Sequence, residues 1–240
     1  MGEGFDKVIS LQKPYIVITN ENGRVIGNGA NQGWFSKAPW RNVSGQGCGI
    51  ISSLDLCFYL SGKRNIHLED YQLAVDEFID TIVFTKFNMH EFLRGKLVIG
   101  ITPWQICHYL NRKLKGQYKV RYNGRHGHED MLNKIEAQLK AGIPVIWSLY
   151  RMGKRINLYT YKPVLKEYSV ATTTNSHYVN IIGIKYEEEG NHRTMLKISS
   201  WGKIYYVDYE EYLDYVGTSL LSQVASNIFL VETRKGLSIN

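Results

Sequence analysis

Apolar residues recur at helical spacing through the first half of the chain and in strand-like runs through most of the second. That order is the strongest restriction on what the chain can fold into. From Gly49 onward, Ile50, Ile51, Leu54, Cys57, Phe58 and Leu60 fall at offsets of three and four, and Ser61-Gly62 closes the helix. A second helix is predicted from Leu68 to about Phe84, on Leu73, Val75, Phe78, Ile79, Ile82 and Val83. Thr102-Pro103 supplies a capping hydroxyl and a proline at the first helical position; the helix it opens, Trp104 to Leu114, stops at Gly116. Glu129 to Ala141 reads as a further helix closed by Gly142. Strands are predicted at Tyr15 to Thr19, before the turn signal Asn20-Glu21-Asn22-Gly23, and at Tyr118 to Tyr122 and Ile143 to Leu149. The later strand candidates are Tyr178 to Ile184, Met195 to Ile198, Lys203 to Val207 and Asn227 to Glu232, interrupted by a short helix, Tyr209 to Val216, capped by Asp208. Residues 28 to 47 show no periodicity and read as a long irregular loop. Helices first and strands second argue for an α+β fold, a helical half packed on an antiparallel sheet. With no repeat and no Pro-Gly-Ser linker, the expectation is one domain over 1–240, helical at about 45–141 and sheet at about 142–235.

Length and composition narrow the class. At 240 residues, the chain can bury a sizeable core without disulfides. Its three cysteines, Cys48, Cys57 and Cys107, form no disulfide framework, which favours a reducing compartment. A net charge of +7 favours anionic partners, but the basic residues are scattered and no nucleic-acid docking motif accompanies them. The first twenty residues show no signal-peptide core, and no run is long enough to span a membrane, so a cytoplasmic location is the expectation.

Cys48 lies in the run Ser44-Gly45-Gln46-Gly47-Cys48-Gly49-Ile50, a glycine-flanked cysteine opening an apolar helix. Thiols attack as thiolates, and a free Cys, with a pKa of about 8.5, is only slightly ionised near neutrality. A helix N-terminus lowers that value through its unpaired N–H groups, and an imidazolium lowers it further. Gly45, Gly47 and Gly49 would allow a sharp turn from loop to helix and close approach of a substrate backbone. His177, before the apolar run Tyr178-Val179-Asn180-Ile181-Ile182-Gly183-Ile184, is placed to act as base and then acid. Read alone, Cys48 fits a nucleophile and a buried helix-opening thiol equally well. Cys57 and Cys107 read as core residues.

Taken together these segments resemble the papain-like cysteine peptidases, and within them the branch of bacteriocin-processing double-glycine peptidases. Cys48-Gly49 matches the nucleophile motif, and Leu139-Lys140-Ala141-Gly142-Ile143-Pro144-Val145-Ile146 matches the helix and Gly-Pro-Val strand. Ser176-His177-Tyr178-Val179-Asn180-Ile181-Ile182-Gly183 matches the histidine element, and Ser199-Ser200-Trp201-Gly202 the Trp-Gly element. The resemblance covers about Trp34 to Val216. It implies a papain-like fold and a cysteine peptidase or amidase that acts on a peptide or protein through an acyl-enzyme, with no cofactor and no metal. It makes Cys48 the nucleophile and His177 the base, and it places an oxyanion-hole amide six residues before the nucleophile, at Asn42. Gln46 is a second amide candidate, and Gln46, Gly47 and Trp201 are the expected substrate-binding residues. The family has Asn or Asp where this chain has Ser199, so the group orienting His177 carries no charge. Three readings follow: Ser199 suffices, Asp208 or Asn180 substitutes, or activity is reduced or lost. A peptide-binding module without turnover and an acyl or amine transferase are the alternatives on the same fold.

Other features have simpler readings. His126-Gly127-His128-Glu129-Asp130 lacks further ligands at metal spacing and reads as a turn with a helix cap. The basic, aromatic run Lys154 to Tyr168 reads as alternating strand faces rather than a single-stranded RNA surface. Trp34, Phe35 and Trp40 would line an apolar subsite or pack the loop onto the core.

Overall fold

The computed structural model describes residues 7–37, 41–81, 100–187 and 193–234, with Arg41 and Asn42 described by their backbone only. In chain order the elements are β1 Lys7–Ser10, β2 Val17–Thr19, β3 Val25–Asn28, α1 Arg41–Gln46, α2 Cys48–Leu60, β4 Asn65–His67 and α3 Leu68–Thr81. There follow α4 Pro103–Lys113, β5 Tyr118–Tyr122, α5 Met131–Lys140, β6 Val145–Tyr150, β7 Ile156–Lys162, β8 Glu167–Thr174 and β9 Ser176–Tyr186. β10 Thr194–Ser200, β11 Lys203–Asp208, α6 Tyr209–Val216, α7 Leu220–Ala225 and β12 Phe229–Thr233 complete the series.

The protein mixes helices with antiparallel sheet. Among the described residues the main sheet has seven strands, ordered β1-β9-β10-β11-β7-β8, with β6 also paired to β9. β9 is its axis: β6 pairs with its first half, β1 with its last residues, and β10 runs along the other edge. Two small sheets stand apart, β3-β2-β4 and β12-β5.

The hydrophobic side chains form two cores. One joins α2, α3 and α4 to the small sheets through Leu54, Leu56, Tyr71, Phe78, Tyr109 and Phe229. The other joins the main sheet to α5 and α6 through Ile135, Leu139, Trp147, Val179, Ile198 and Tyr212. α5, expected in the helical half, therefore belongs with the sheet, because its apolar stripe Met131, Ile135 and Leu139 packs on β-strand side chains. Strands β2, β3, β4, β5 and β12 accompany the helical core.

Local chemistry accounts for several boundaries. Thr102 and Gln105 form a reciprocal capping box, with Pro103 at the start of α4. Asp208 accepts from the Glu210 and Glu211 amides and starts α6. α3 is described as far as Thr81; Ile82, Val83 and Phe84 lie outside the described residues, as does Trp40.

α2 is buried on every side. Gly49 to Cys57 are all buried, which a helix shows when it lies inside a protein rather than on its surface. The irregular loop expected before it is partly helical. Gln32–Trp34 is a 3-10 turn, and α1 abuts α2 through Gly47, whose N–H donates to Val43 O at 2.8 Å and whose C=O accepts from Ile51 N at 2.9 Å. The glycines do not make a sharp open turn. Gly47 has φ −84° and ψ 6°, which any residue adopts. A Cβ there would lie 2.5 Å from Val43 O, whereas a Cβ on Gly45 meets nothing within 4 Å. Gly49 is pressed against Ile101, Ile106 and Tyr178, so it packs the helix and does not receive a substrate. Of Trp34 and Phe35, the packing reading holds. Phe35 is fully buried, and the Trp34 ring covers Gly27 and Gly202.

Gly47→Ala should lose about 1–3 kcal/mol of stability by overpacking against Val43. Gly45→Ala should gain up to about 1 kcal/mol as an exposed helical glycine replaced by alanine. Urea denaturation of the two variants checks the pair; equal effects would contradict the packing at Gly47.

Candidate active site

α2 and the β9–β10 ribbon bring the two expected residues to one place. Cys48 is the first residue of α2 and His177 the second residue of β9, and both line a small cavity of about 10 Å³. Gln32, Ser52, Asp55, Tyr178, Asn180, Ser199, Ser200 and Trp201 also line it. A larger hollow of about 820 Å³, at Asn20–Asn22 and His67–Gln72, carries no thiol.

The His177 ring is held on two sides. Trp201 stacks on it, with centroids 4.3 Å apart and planes 20° apart. Trp201 and Gly202 form the two-residue turn between β10 and β11, and both have positive φ, 48° and 72°. Such turns match the twist of the strands, but positive φ strains a tryptophan, and the stack on His177 and the edge contact with Tyr205 hold it there. His177 Nε2 lies 2.7 Å from Ser200 Oγ.

Ser200, and not Ser199, is thus the hydroxyl at the ring. Ser199 Oγ donates instead to Asn28 O at 2.7 Å. Neighbouring residues of a strand point to opposite faces, so only one of the two serines can reach the imidazole. The two proposed substitutes are engaged elsewhere. Asn180 Nδ2 donates to Ser52 O at 3.1 Å, and Asp208 caps α6 and pairs with Arg193 at 2.7 Å.

Charge is disfavoured at both reactive groups. Burial pushes the Cys48 thiol up, against the opposing pull of the Tyr178, Gly49 and Cys48 backbone N–H groups. Burial also pushes His177 down from 6.5 to about 3. No hydrogen bond joins the thiol to the imidazole among the described residues, and the resting pair is neutral. The helix N-terminus does act on the sulfur, as the position of Cys48 implied, but burial outweighs it.

The other expected site residues divide. Trp201 lines the cavity, whereas Gln46 and Gly47 do not. The Gln46 side chain reaches toward Gly100. Asn42 belongs to α1, and its side chain lies outside the described residues. Gln32 is an amide the sequence reading missed; it lines the cavity and donates to Ser44 O at 3.0 Å. Its distance from Cys48 in the chain hid it, because α1 folds between them.

Asp55 was also missed. Cys48, Ser52 and Asp55 stand at i, i+4 and i+7, a polar stripe on an otherwise apolar helix, and that spacing was the available signal. The carboxyl accepts from Tyr71 OH at 2.7 Å, Ala30 N at 3.3 Å and Tyr15 OH at 3.4 Å. Burial raises it from 3.8 to about 7, with the Tyr71, Ala30 and Tyr15 hydrogen bonds opposing.

Among the described residues, no group of three or more His, Cys, Asp or Glu side chains is placed to hold a metal ion. His128 is turned inward, with Nε2 2.7 Å from Ser226 O and stacked near Tyr212. Tyr161, Tyr168 and Tyr206 pack on one another rather than on an open surface. No described helix is long and apolar enough to cross a membrane. No family model, no curated protein and no solved structure matches the chain.

The two buried groups act on stability in opposite directions. Between pH 6.5 and 3 the unfolded chain protonates at His177 while the folded chain does not. That contribution is complete above about 6.5 and is lost as pH falls. Between 3.8 and 7 the folded chain holds a proton at Asp55 that the unfolded chain has released, so its contribution is lost as pH rises. Each slope is about 1.4 kcal/mol per pH unit at most, and the two oppose between about pH 4 and 6. Relative to wild type, Asp55→Asn should lose stability as pH falls through that window, and His177→Gln should lose it as pH rises. Urea midpoints measured at several pH values check both; parallel curves for all three proteins would contradict the assignment.

Proposed function

We propose that the chain is a thiol-dependent hydrolase of peptide or amide bonds, with the arrangement of a papain-like cysteine peptidase. The observation that carries this reading is the meeting of Cys48 and His177 in one cavity, with Trp201 stacked on the ring and Ser200 at Nε2. The acidic cap at Asp208 and the strand following His177 fit the same arrangement.

The neutral resting pair specifies how such a reaction would run. With thiol and imidazole both uncharged, His177 takes the proton as Cys48 Sγ attacks the carbonyl carbon. Ser200 at Nε2 leaves Nδ1 as the ring nitrogen for that transfer. The C–N bond then breaks, His177 returns the proton to the leaving amine, and a thioester remains on Cys48. His177 next removes a proton from water, which attacks the thioester and frees the thiol and a carboxylic acid. Developing negative charge on the carbonyl oxygen needs N–H donors. The Gln32 amide is the side-chain candidate on the cavity wall.

One observation favours a second reading. The raised thiol and depressed imidazole suit a cleft that holds a peptide without cleaving it.

Alkylation by iodoacetamide, mapped by mass spectrometry to Cys48, tests the pairing. His177→Ala should slow Cys48 labelling near neutral pH and move its pH dependence to higher pH, and an unchanged profile would refute the pairing. Ser200→Ala should lower the reaction rate by about 2- to 10-fold, the worth of one hydrogen bond of about 0.5–1.5 kcal/mol, and more than Ser199→Ala does. Against a peptide library, product release that Cys48→Ala abolishes supports hydrolysis. Tight binding by both proteins with no product supports the binding module. Hydroxamate formed on adding hydroxylamine shows transfer to an amine.

A further inference from the structure

We propose that Asp55 is a positioning residue for the thiol site: ionised, it supplies across the shared cavity the negative charge that an imidazolium at His177 requires. This rests on the Cys48–His177 reading above. The papain-like pattern has Asn or Asp where this chain has Ser199, and neither Ser199 nor Ser200 brings charge. Among the described residues lining the cavity, Asp55 is the one carboxyl.

Geometry connects it to the site. Asp55 is on the same face of α2 as Cys48, two turns further along, and it lines the cavity that Cys48 and His177 line. Of the groups packed around it, Tyr15 comes from the segment before β2, the Ala30 amide from the segment after β3, and Tyr71 from α3. Ser199 on β10 and Asp55 flank Gly29 so tightly that a Cβ there would lie 2.5 Å from Ser199 Oγ and from Asp55 Oδ2. Asn180 on β9 completes the wall; its Oδ1 is buried and has no partner. Cys48, His177 and Tyr178 are the titratable groups across the cavity. No cation pairs with Asp55 among the described residues, so its charge is not already spent on a salt bridge.

The proton moves as follows. As pH rises, Asp55 loses its proton to solvent and becomes the anion that Tyr71, Tyr15 and Ala30 N–H solvate. When Cys48 Sγ gives its proton to His177, the imidazolium forms opposite a carboxylate instead of in an uncharged cavity. Asp55 touches neither substrate nor sulfur in this scheme. An opposite charge within about 4–6 Å moves a partner's ionisation by about one to three pH units, and an effect of about tenfold is the one expected here.

The test follows Cys48 alkylation by iodoacetamide in the full chain from pH 5.5 to 9, with Cys57 and Cys107 separated by peptide mapping. Wild type should show an ionisation close to pH 7 that activates Cys48. Asp55→Asn should lose that ionisation and react about tenfold more slowly at pH 8. Tyr71→Phe removes a donor to the carboxylate and should move the ionisation to higher pH. An Asp55→Asn profile with the wild-type inflection would overturn the proposal. If that variant does not fold, an unmoved inflection in Tyr71→Phe overturns it. His177→Ala in the same assay separates the two levels. An unchanged profile there refutes the thiol–imidazole reading itself, whereas a changed one beside an unaltered Asp55→Asn refutes only the role of Asp55.

Discussion

The burial of α2 on all sides is the constraint from which the rest of the structure follows. Three of its apolar residues, Leu54, Leu56 and Cys57, are within 5 % of full burial and tie the helix to α3 and α4. A buried Leu contributes about 1.5–3 kcal/mol, so this packing outweighs the cost of a few polar groups carried inside with it. Those groups form the stripe Cys48, Ser52 and Asp55, facing β9 and β10. Ser52 satisfies its hydroxyl on Cys48 O at 2.6 Å, and the Ser52 carbonyl receives Asn180 Nδ2. The helix is thereby fixed in rotation against the sheet. Turning it by one residue would bury Asp55 against apolar side chains and take Cys48 away from His177.

The same burial sets the electrostatics of the site. A cavity walled by helix, sheet and the Trp201 ring raises the thiol and lowers the imidazole together. Desolvation opposes both charged forms, and in the resting site neither has a partner charge to offset it. Backbone N–H groups at the start of α2 and at Tyr178 are aimed at the sulfur, so thiolate is partly solvated once formed. The imidazolium has no comparable support from Ser200, which offers a single uncharged oxygen. In a site of this kind the cation, not the thiolate, is the form in need of stabilisation.

Local chemistry made much of the fold legible in the sequence. The Thr102–Pro103 cap, the Asp208 cap and the helix-closing glycines Gly62 and Gly142, both at positive φ, act within a few residues of themselves. α1 was not legible, because Arg41 to Gln46 has no apolar period of its own and is held by packing of Val43 and the contact of Gly47. Cys48 and His177 were found from motif order, and they do line one cavity. The serine at the ring was misassigned for a structural reason. The β9–β10 register shifts between Lys197 and Ile198, and an irregularity of one residue changes which serine faces the imidazole. Gln32 was invisible because its relation to the thiol is made by tertiary packing, whereas Asp55 was signalled only by its i+7 spacing from Cys48 on α2.

The hydrogen bonds of Asp55 explain how a carboxyl can remain in such a place without a cation. A buried carboxylate needs donors, whereas a buried carboxylic acid needs at least one acceptor. Tyr71 can serve both forms. Its hydroxyl lies 2.7 Å from Asp55 Oδ1 and 3.0 Å from Ile51 O. With Asp55 ionised, Tyr71 donates to the carboxylate. With Asp55 protonated, Tyr71 turns its hydrogen to Ile51 O and accepts a hydrogen bond from the carboxyl O–H. Ala30 N–H donates in either case. Each protonation state is therefore satisfied, and the balance is left to burial on one side and donor strength on the other. That balance places the carboxyl at about 7, where modest changes in cavity charge decide its state.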